Sequence, residues 1–141
     1  MQRLFLDANV LLSFYFSDAE KNQQKAIDTI ISSIDQNRYE GVISIISLYQ
    51  LMHFIDSKER NPKLASSRAY AFLDILELAP FNPIYIKQIN SNLWPDYEDG
   101  LQYACALGSN IDFIITTNGG DFFSSQLPVV DPLNFVILQN L

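Results

Sequence analysis

Two apolar runs in this chain, LFLDANVLL at residues 4–12 and DFIITTNGGDF at 112–122, meet an acid or an amide where a helix can begin. Runs of this kind read as short buried strands of an α/β sheet. If they lie parallel in one sheet, Asp7 and Asn118 emerge at the same edge, where open α/β sheets place their ligands. A third block, DYEDGLQYACA at 96–106, opens an amphipathic stretch with a cluster of acids. Carboxylates gathered at one edge repel one another unless a cation holds them. The economical reading is an oxygen-ligand site for Mg²⁺ or Mn²⁺.

The distribution of charge agrees. Lys and Arg total 9 against 16 Asp and Glu, a net charge of −7, and no Lys or Arg follows Lys87. Asp96, Glu98, Asp99, Asp112, Asp121 and Asp131 therefore lie in a stretch without a basic side chain of its own. A solvated acidic face accounts for Asp112 and Asp131 and fails for Asp7, which closes an apolar run. The acidic total also argues against a protein that coats nucleic acid electrostatically, because phosphate contacts need Lys and Arg. It does not exclude one that approaches phosphate through bound cations. Four of the basic residues, Lys58, Arg60, Lys63 and Arg68, fall in one short segment that reads as a solvated loop and helix face.

The 141 residues, 48% of them hydrophobic, predict one globular domain over 1–141 with a substantial core. The lone Cys105 sits in LQYACAL and reads as a small buried hydrophobe. The start MQRLFLDANV lacks the apolar core of a secretory signal, and no run approaches the roughly 20 apolar residues that span a bilayer. A soluble, cytoplasmic protein without a membrane partner is expected.

Strands and helices alternate along the chain. Strands are expected at 3–6, 40–45, 78–81, 113–116 and 129–130, and helices at 21–37, from Ser47 to 56, at 63–77, 83–93 and 96–107. The run SLYQ at 47–50 has the capping-box pattern, with Gln50 as the reciprocal partner of Ser47. Asp96 caps its helix with Asp99 at the third position, and Gly108 ends it. The order implies a three-layer α/β/α domain with a mostly parallel central sheet.

Together and in order, the three blocks resemble the signature of the PIN domain, the metal-dependent ribonuclease fold of VapC-type bacterial toxin–antitoxin systems. The proline-led tail DPLNFVIL is similar to the family's C-terminal stretch. The resemblance implies one or two Mg²⁺ or Mn²⁺ ions surrounded by Asp7, Asp96, Asp99, Asn118 and Asp121, with Asp7, Asp99 and Asp121 carrying the chemistry and Asn9, Gln50 and Thr116 beside them. It implies an RNA substrate cut to a 5′-phosphate and a 3′-hydroxyl, an antitoxin partner, and a homodimer. Two positions depart from the fullest pattern: Gln50 stands where the family calls for Glu, and Asn118 where many members carry Asp. An amide oxygen can ligate Mg²⁺ but brings no charge, so the site loses up to two negative charges.

Each residue also has a purely structural role open to it. Asp7, Asp96 and Asp99 can serve helix N-termini; for Asp96 capping and metal contact stand equally open, while capping does not explain the company that Asp7 and Asp99 keep. Asp121 can cap a turn at Phe122, and Glu98 is expected to face solvent or the site's surroundings. His53, one turn after Gln50, is left outside the site. Trp94, Phe122 and Phe123 are expected to pack rather than stack on bases. A receiver domain would need a Lys near its last strand, a haloacid-dehalogenase-type phosphatase would want Asp at position 9, and no G-x-G-x-x-G follows the first strand. The serious alternative is a PIN-like domain without catalysis, acting as a nucleic-acid-binding or scaffold module.

Overall fold

The first strand, β1 (Arg3–Leu6), is apolar on both faces and is buried on both. Successive side chains of a strand point to opposite faces, so Leu4 and Leu6 enter one core and Phe5 the other. Ile43 and Val42 of β2 (Glu40–Ser44), and Ile115 and Ile114 of β4 (Phe113–Ile115), divide in the same way. Strands apolar on both faces belong in the middle of a parallel sheet covered by helices on each side.

The computed structural model describes residues 1–141. With β3 (Leu76–Ala79) and β5 (Val129–Val130) the strands form one all-parallel sheet in the order β3-β2-β1-β4-β5. The α/β/α reading holds, with a sheet that is parallel throughout. Helices α1 (Ala8–Phe16) and α2 (Lys21–Asp35) connect β1 to β2, and α3 (Ile45–Glu59) and α4 (Pro62–Ala71) connect β2 to β3. The chain then returns through α5 (Pro83–Ile86) and α6 (Tyr97–Leu107) to lay β4 on the other side of β1, and ends in α7 (Pro132–Gln139). The strand order therefore reverses between β1 and β4, and the carboxyl ends of these two strands form the switch point at which such sheets bind ligands.

Several expected elements shift for identifiable reasons. The helix foreseen over 63–77 stops at Ala71, passes through a 3₁₀ turn at Phe72–Asp74 and becomes β3, because Leu76 to Ala79 pair with Gly41 to Ser44. Its buried residues are Ala65 and Ala69. The helix foreseen over 83–93 is the single turn α5, followed by turns that bring Trp94 into the core against Tyr103. Helix α3 begins at Ile45, and its N-cap is Ser44, three residues ahead of the expected cap Ser47. No helix is long and apolar enough to cross a membrane.

Candidate functional site

At the switch point the Asp7 N–H donates to the Ile115 carbonyl (3.1 Å), and the Thr116 hydroxyl donates to Asp7 Oδ2 (2.8 Å). Adjacent strand ends are thereby pinned together. Asp7 sits at the N-cap of α1 yet makes no side-chain cap bond, and it is 8% exposed. Among the hydrogen bonds that act on its carboxylate, the one from the Thr116 hydroxyl weighs most, ahead of the Ala8 N–H. Thr116 Oγ1 also accepts from the Asn118 N–H (3.0 Å), and the Asn118 amide donates to Asp121 Oδ2 (2.7 Å). The β4 end thus hands a chain of hydrogen bonds from Asp7 out to the rim, where Asn118 caps the Gly119–Phe122 turn by position and Asp121 lies within it.

The remaining acids come from α6. Asp96 caps that helix, its Oδ1 accepting from the N–H groups of Glu98 (2.9 Å) and Asp99 (3.3 Å). This cap directs the next turn inwards, so a cleft of about 210 Å³ gathers Asp7, Asn9, Gln50, Glu98, Asp99 and Asp121. No Lys, Arg or His lines it. Of the expected site residues, Asp96 faces an adjoining hollow, Asn118 stands on the rim bonded to Asp121, and Thr116 lies beneath Asp7. Asn9 approaches Asp7 Oδ2 at 3.5 Å, the outer limit of a hydrogen bond.

Two expectations need correction. Gln50 is not the reciprocal partner of Ser47; the helix is capped three residues earlier by Ser44, whose hydroxyl accepts from the Ser47 N–H (3.0 Å). Gln50 is free to reach across the cleft, and its amide donates to Glu98 Oε1. Phe123 does not pack: it is 91% exposed while its neighbour Phe122 is buried. The residues missed from the sequence lie under the cleft. Gln102, 3% exposed, accepts from the Ser44 hydroxyl and donates to the Ser47 hydroxyl (3.0 Å), locking α6 to the start of α3. A lone amide in the apolar LQYACAL, one turn after Glu98, is the signal that could have found it.

Electrostatics follow from crowding. Burial pushes the Asp7 carboxyl above its ordinary range, the Thr116 hydrogen bond opposes this, and the charges of Asp121 and Glu98 add to it. Asp99 is raised to about 6, first by burial and then by the charges of Asp121, Asp96, Asp7 and Glu98. An acid whose folded pKa is raised stabilises the fold fully below its unfolded pKa, here near 3.8, and loses that contribution as pH rises through about 6. Metal-free protein should therefore melt higher at about pH 5 than at about pH 7.5, and Asp99→Asn should flatten the difference. Melting curves at the two pH values check this; an undiminished difference in Asp99→Asn would place the titration elsewhere.

The donor set is all carboxylate and amide oxygen, the chemistry that suits Mg²⁺ or Mn²⁺ and not thiolate- or imidazole-seeking metals. As the side chains stand, no three His, Cys, Asp or Glu groups are close enough together to hold an ion. Asp121 is turned onto Asn118 and Glu98 onto Gln50. The residues fit a divalent ion by chemistry and by convergence on one cleft.

Residues 3–119 match the family model of the PIN domain. The chain belongs to the PIN domain family. PIN domains are typically nucleases and generally use divalent metals. The match spans Asp7, Gln50, Asp99 and Asn118 and ends just before Asp121. This PIN domain shares its fold with a chain of VapBC2 from Rickettsia felis, crystallised with a DNA fragment from its promoter, at a TM-score of 0.70 and 18% identity over 92% of this chain and 98% of that one. A chain of a toxin–antitoxin complex from Klebsiella pneumoniae is similar at a TM-score of 0.66 and 17% identity, over 92% and 97% of the two chains. No curated protein matches the sequence.

Proposed function

We propose that residues 1–141 form one PIN-like domain acting as a metal-dependent endoribonuclease, the toxin of a toxin–antitoxin pair. The observation that carries this is the buried Asp7 carboxylate sharing a cleft with Asp99, Asp121 and Glu98 and with no basic side chain. A fold has no structural use for such an arrangement, since each acid raises the cost of ionising the next. Groups perturbed by burial together with specific charges, at a cleft, mark functional sites.

Asp7 and Asp99 would hold the ion, with Asp121 and Glu98 beside them. When bound, a divalent ion lowers the pKa of a water and stabilises charge on the leaving 3′-oxygen, chemistry that leaves a 5′-phosphate and a 3′-hydroxyl. Thr116 fixes which way the Asp7 carboxylate points, and the bond from Asn118 sets the reach of Asp121, the kind of support that orients metal ligands. Gln50 holds Glu98 across the mouth of the cleft.

RNA as substrate rests on the family resemblance, and a cytoplasmic location goes with it. An antitoxin partner is supported by the neighbours, both taken from toxin–antitoxin assemblies; the homodimer rests on the family resemblance alone. A second reading, a binding or scaffold module without catalysis, is favoured by the uncharged Gln50 and by the lack of three acids already closed on one point. Incubation with a panel of structured RNAs in Mn²⁺ and in chelator separates the two. Cuts bearing 5′-phosphates only in Mn²⁺ establish the nuclease; intact RNA in both leaves the module.

A further inference from the structure

Beside the acid cleft lies a second hollow, of about 600 Å³, that shares Asp99 and Asp121 with it. Trp94, 6% exposed and stacked on Tyr103 with ring centroids 4.5 Å apart, forms part of its floor. Phe123 forms a wall. That ring is 91% exposed, yet the backbone carrying it is anchored: the Phe123 N–H donates to the Gly120 carbonyl (3.3 Å), and the next residue, Ser124, donates its hydroxyl to the Leu93 carbonyl (2.9 Å). Phe123 is thus presented by a held turn.

Two further observations indicate what the ring receives. Gly119 and Gly120 have no positive φ, and a Cβ built on either meets nothing within 4 Å. Neither backbone conformation nor internal packing calls for glycine there; a bare stretch of this kind suits close approach by another chain. No Lys or Arg lines either hollow, and three of the residues lining the second one, Asp96, Asp99 and Asp121, are acids. A phosphate is therefore the wrong occupant for this hollow. A flat, uncharged, aromatic group is the right one, since base–aromatic stacking supplies affinity without phosphate contacts.

We propose that this hollow is a subsite for an unpaired nucleobase of the RNA substrate, stacked on Phe123 with its backbone passing over Gly119–Gly120 towards Asp99 and Asp121. The inference rests on the nuclease reading for its choice of ligand. It selects single-stranded or looped RNA over duplex, because a paired base cannot leave its stack to meet the ring.

Trp94 is the only tryptophan of the chain and serves as the reporter. A short oligouridine with phosphorothioate links, which resist cleavage, is titrated into the unmutated protein in Mg²⁺, and Trp94 emission is followed. The expected result is a saturable change with the single strand and none with the oligouridine annealed to oligoadenosine. Phe123→Ala should weaken binding about tenfold, Phe123→Tyr should restore it, and Gly120→Ala should weaken it without lowering the melting temperature. Equal binding by Phe123→Ala and its parent, or equal response to the duplex, would overturn the subsite. Self-association that Phe123→Ala abolishes would also overturn it, assigning the ring to a second copy of the chain. Mn²⁺-dependent cleavage by the unmutated protein without any Trp94 response would sink the subsite and spare the nuclease; a Trp94 response without cleavage would do the reverse.

Discussion

Asp7→Asn and Asp99→Asn should each remove the response to divalent ions and raise the stability of the metal-free protein. The substitution keeps shape and an acceptor oxygen, so the Thr116 hydroxyl still finds its partner at position 7. What is lost is charge, and both carboxyls are raised by burial and by neighbouring carboxylates, Asp121 and Glu98 among them, so the charged form is the costly one. Without metal, melting temperatures should rise, more for the buried Asp7 than for the part-exposed Asp99. In the parent, millimolar Mn²⁺ should raise the melting temperature by binding the folded state alone; in either variant that rise should vanish. Cleavage of RNA should fall at least about a hundredfold, as for loss of groups that hold a metal. This combination, more stable and less active, is the signature of a site that stores repulsion for function. If Asp7 were only an anchor for Thr116, its replacement would lower the melting temperature and leave the Mn²⁺ response alone.

The places where sequence and structure agree share a cause. Asp7 closes a short run of apolar residues, the pattern of a strand buried on both faces; once β1 and β4 are adjacent and parallel, their polar ends meet. Asp96 and Asp99 are equally legible, since a cap and the third residue of its helix are related by local geometry alone. Gln50 shows the limit. SLYQ satisfies a local rule that the chain does not use, because β2 ends at Ser44 to keep its register with β3, and this gives Ser44 the cap. Tertiary pairing overrides local pattern again at 72–79, where a helical-looking run becomes β3 against Gly41. A Cβ at Gly41 would stand 2.4 Å from Leu76 Cδ2 and 2.9 Å from Ile34 Cδ1, so the packing of these side chains over the sheet uses the space of a glycine whose strand partner Leu76 lies 35 positions away in sequence. The contact of Gln50 with Glu98 and the Ser44–Gln102–Ser47 network are likewise long-range, and no spacing rule reports them.

Gln50→Glu should tighten Mn²⁺ binding roughly tenfold to a hundredfold, the span over which groups around a metal tune its affinity, and should raise cleavage at limiting metal. The helix start is untouched, because Ser44 and not Ser47 caps α3. The change falls on the bond to Glu98: an amide N–H donates there now, and a carboxylate has nothing to donate. Two like charges would then face each other beside Asp99 and Asp7, so the metal-free variant should melt lower than the parent at about pH 7.5. At about pH 5 the gap should narrow, since Asp99, raised to about 6, is then largely protonated and one neighbouring charge is gone. Adding Mn²⁺ should reverse the order of the two proteins, because the repulsion that destabilises the empty cleft is what a cation relieves. Calorimetric titration of Mn²⁺ into both proteins, with melting curves at the two pH values, reads each step. A variant that melts lower with and without Mn²⁺, and binds it no more tightly, would put position 50 outside the reach of the ion and leave Glu98 as a residue of the rim alone.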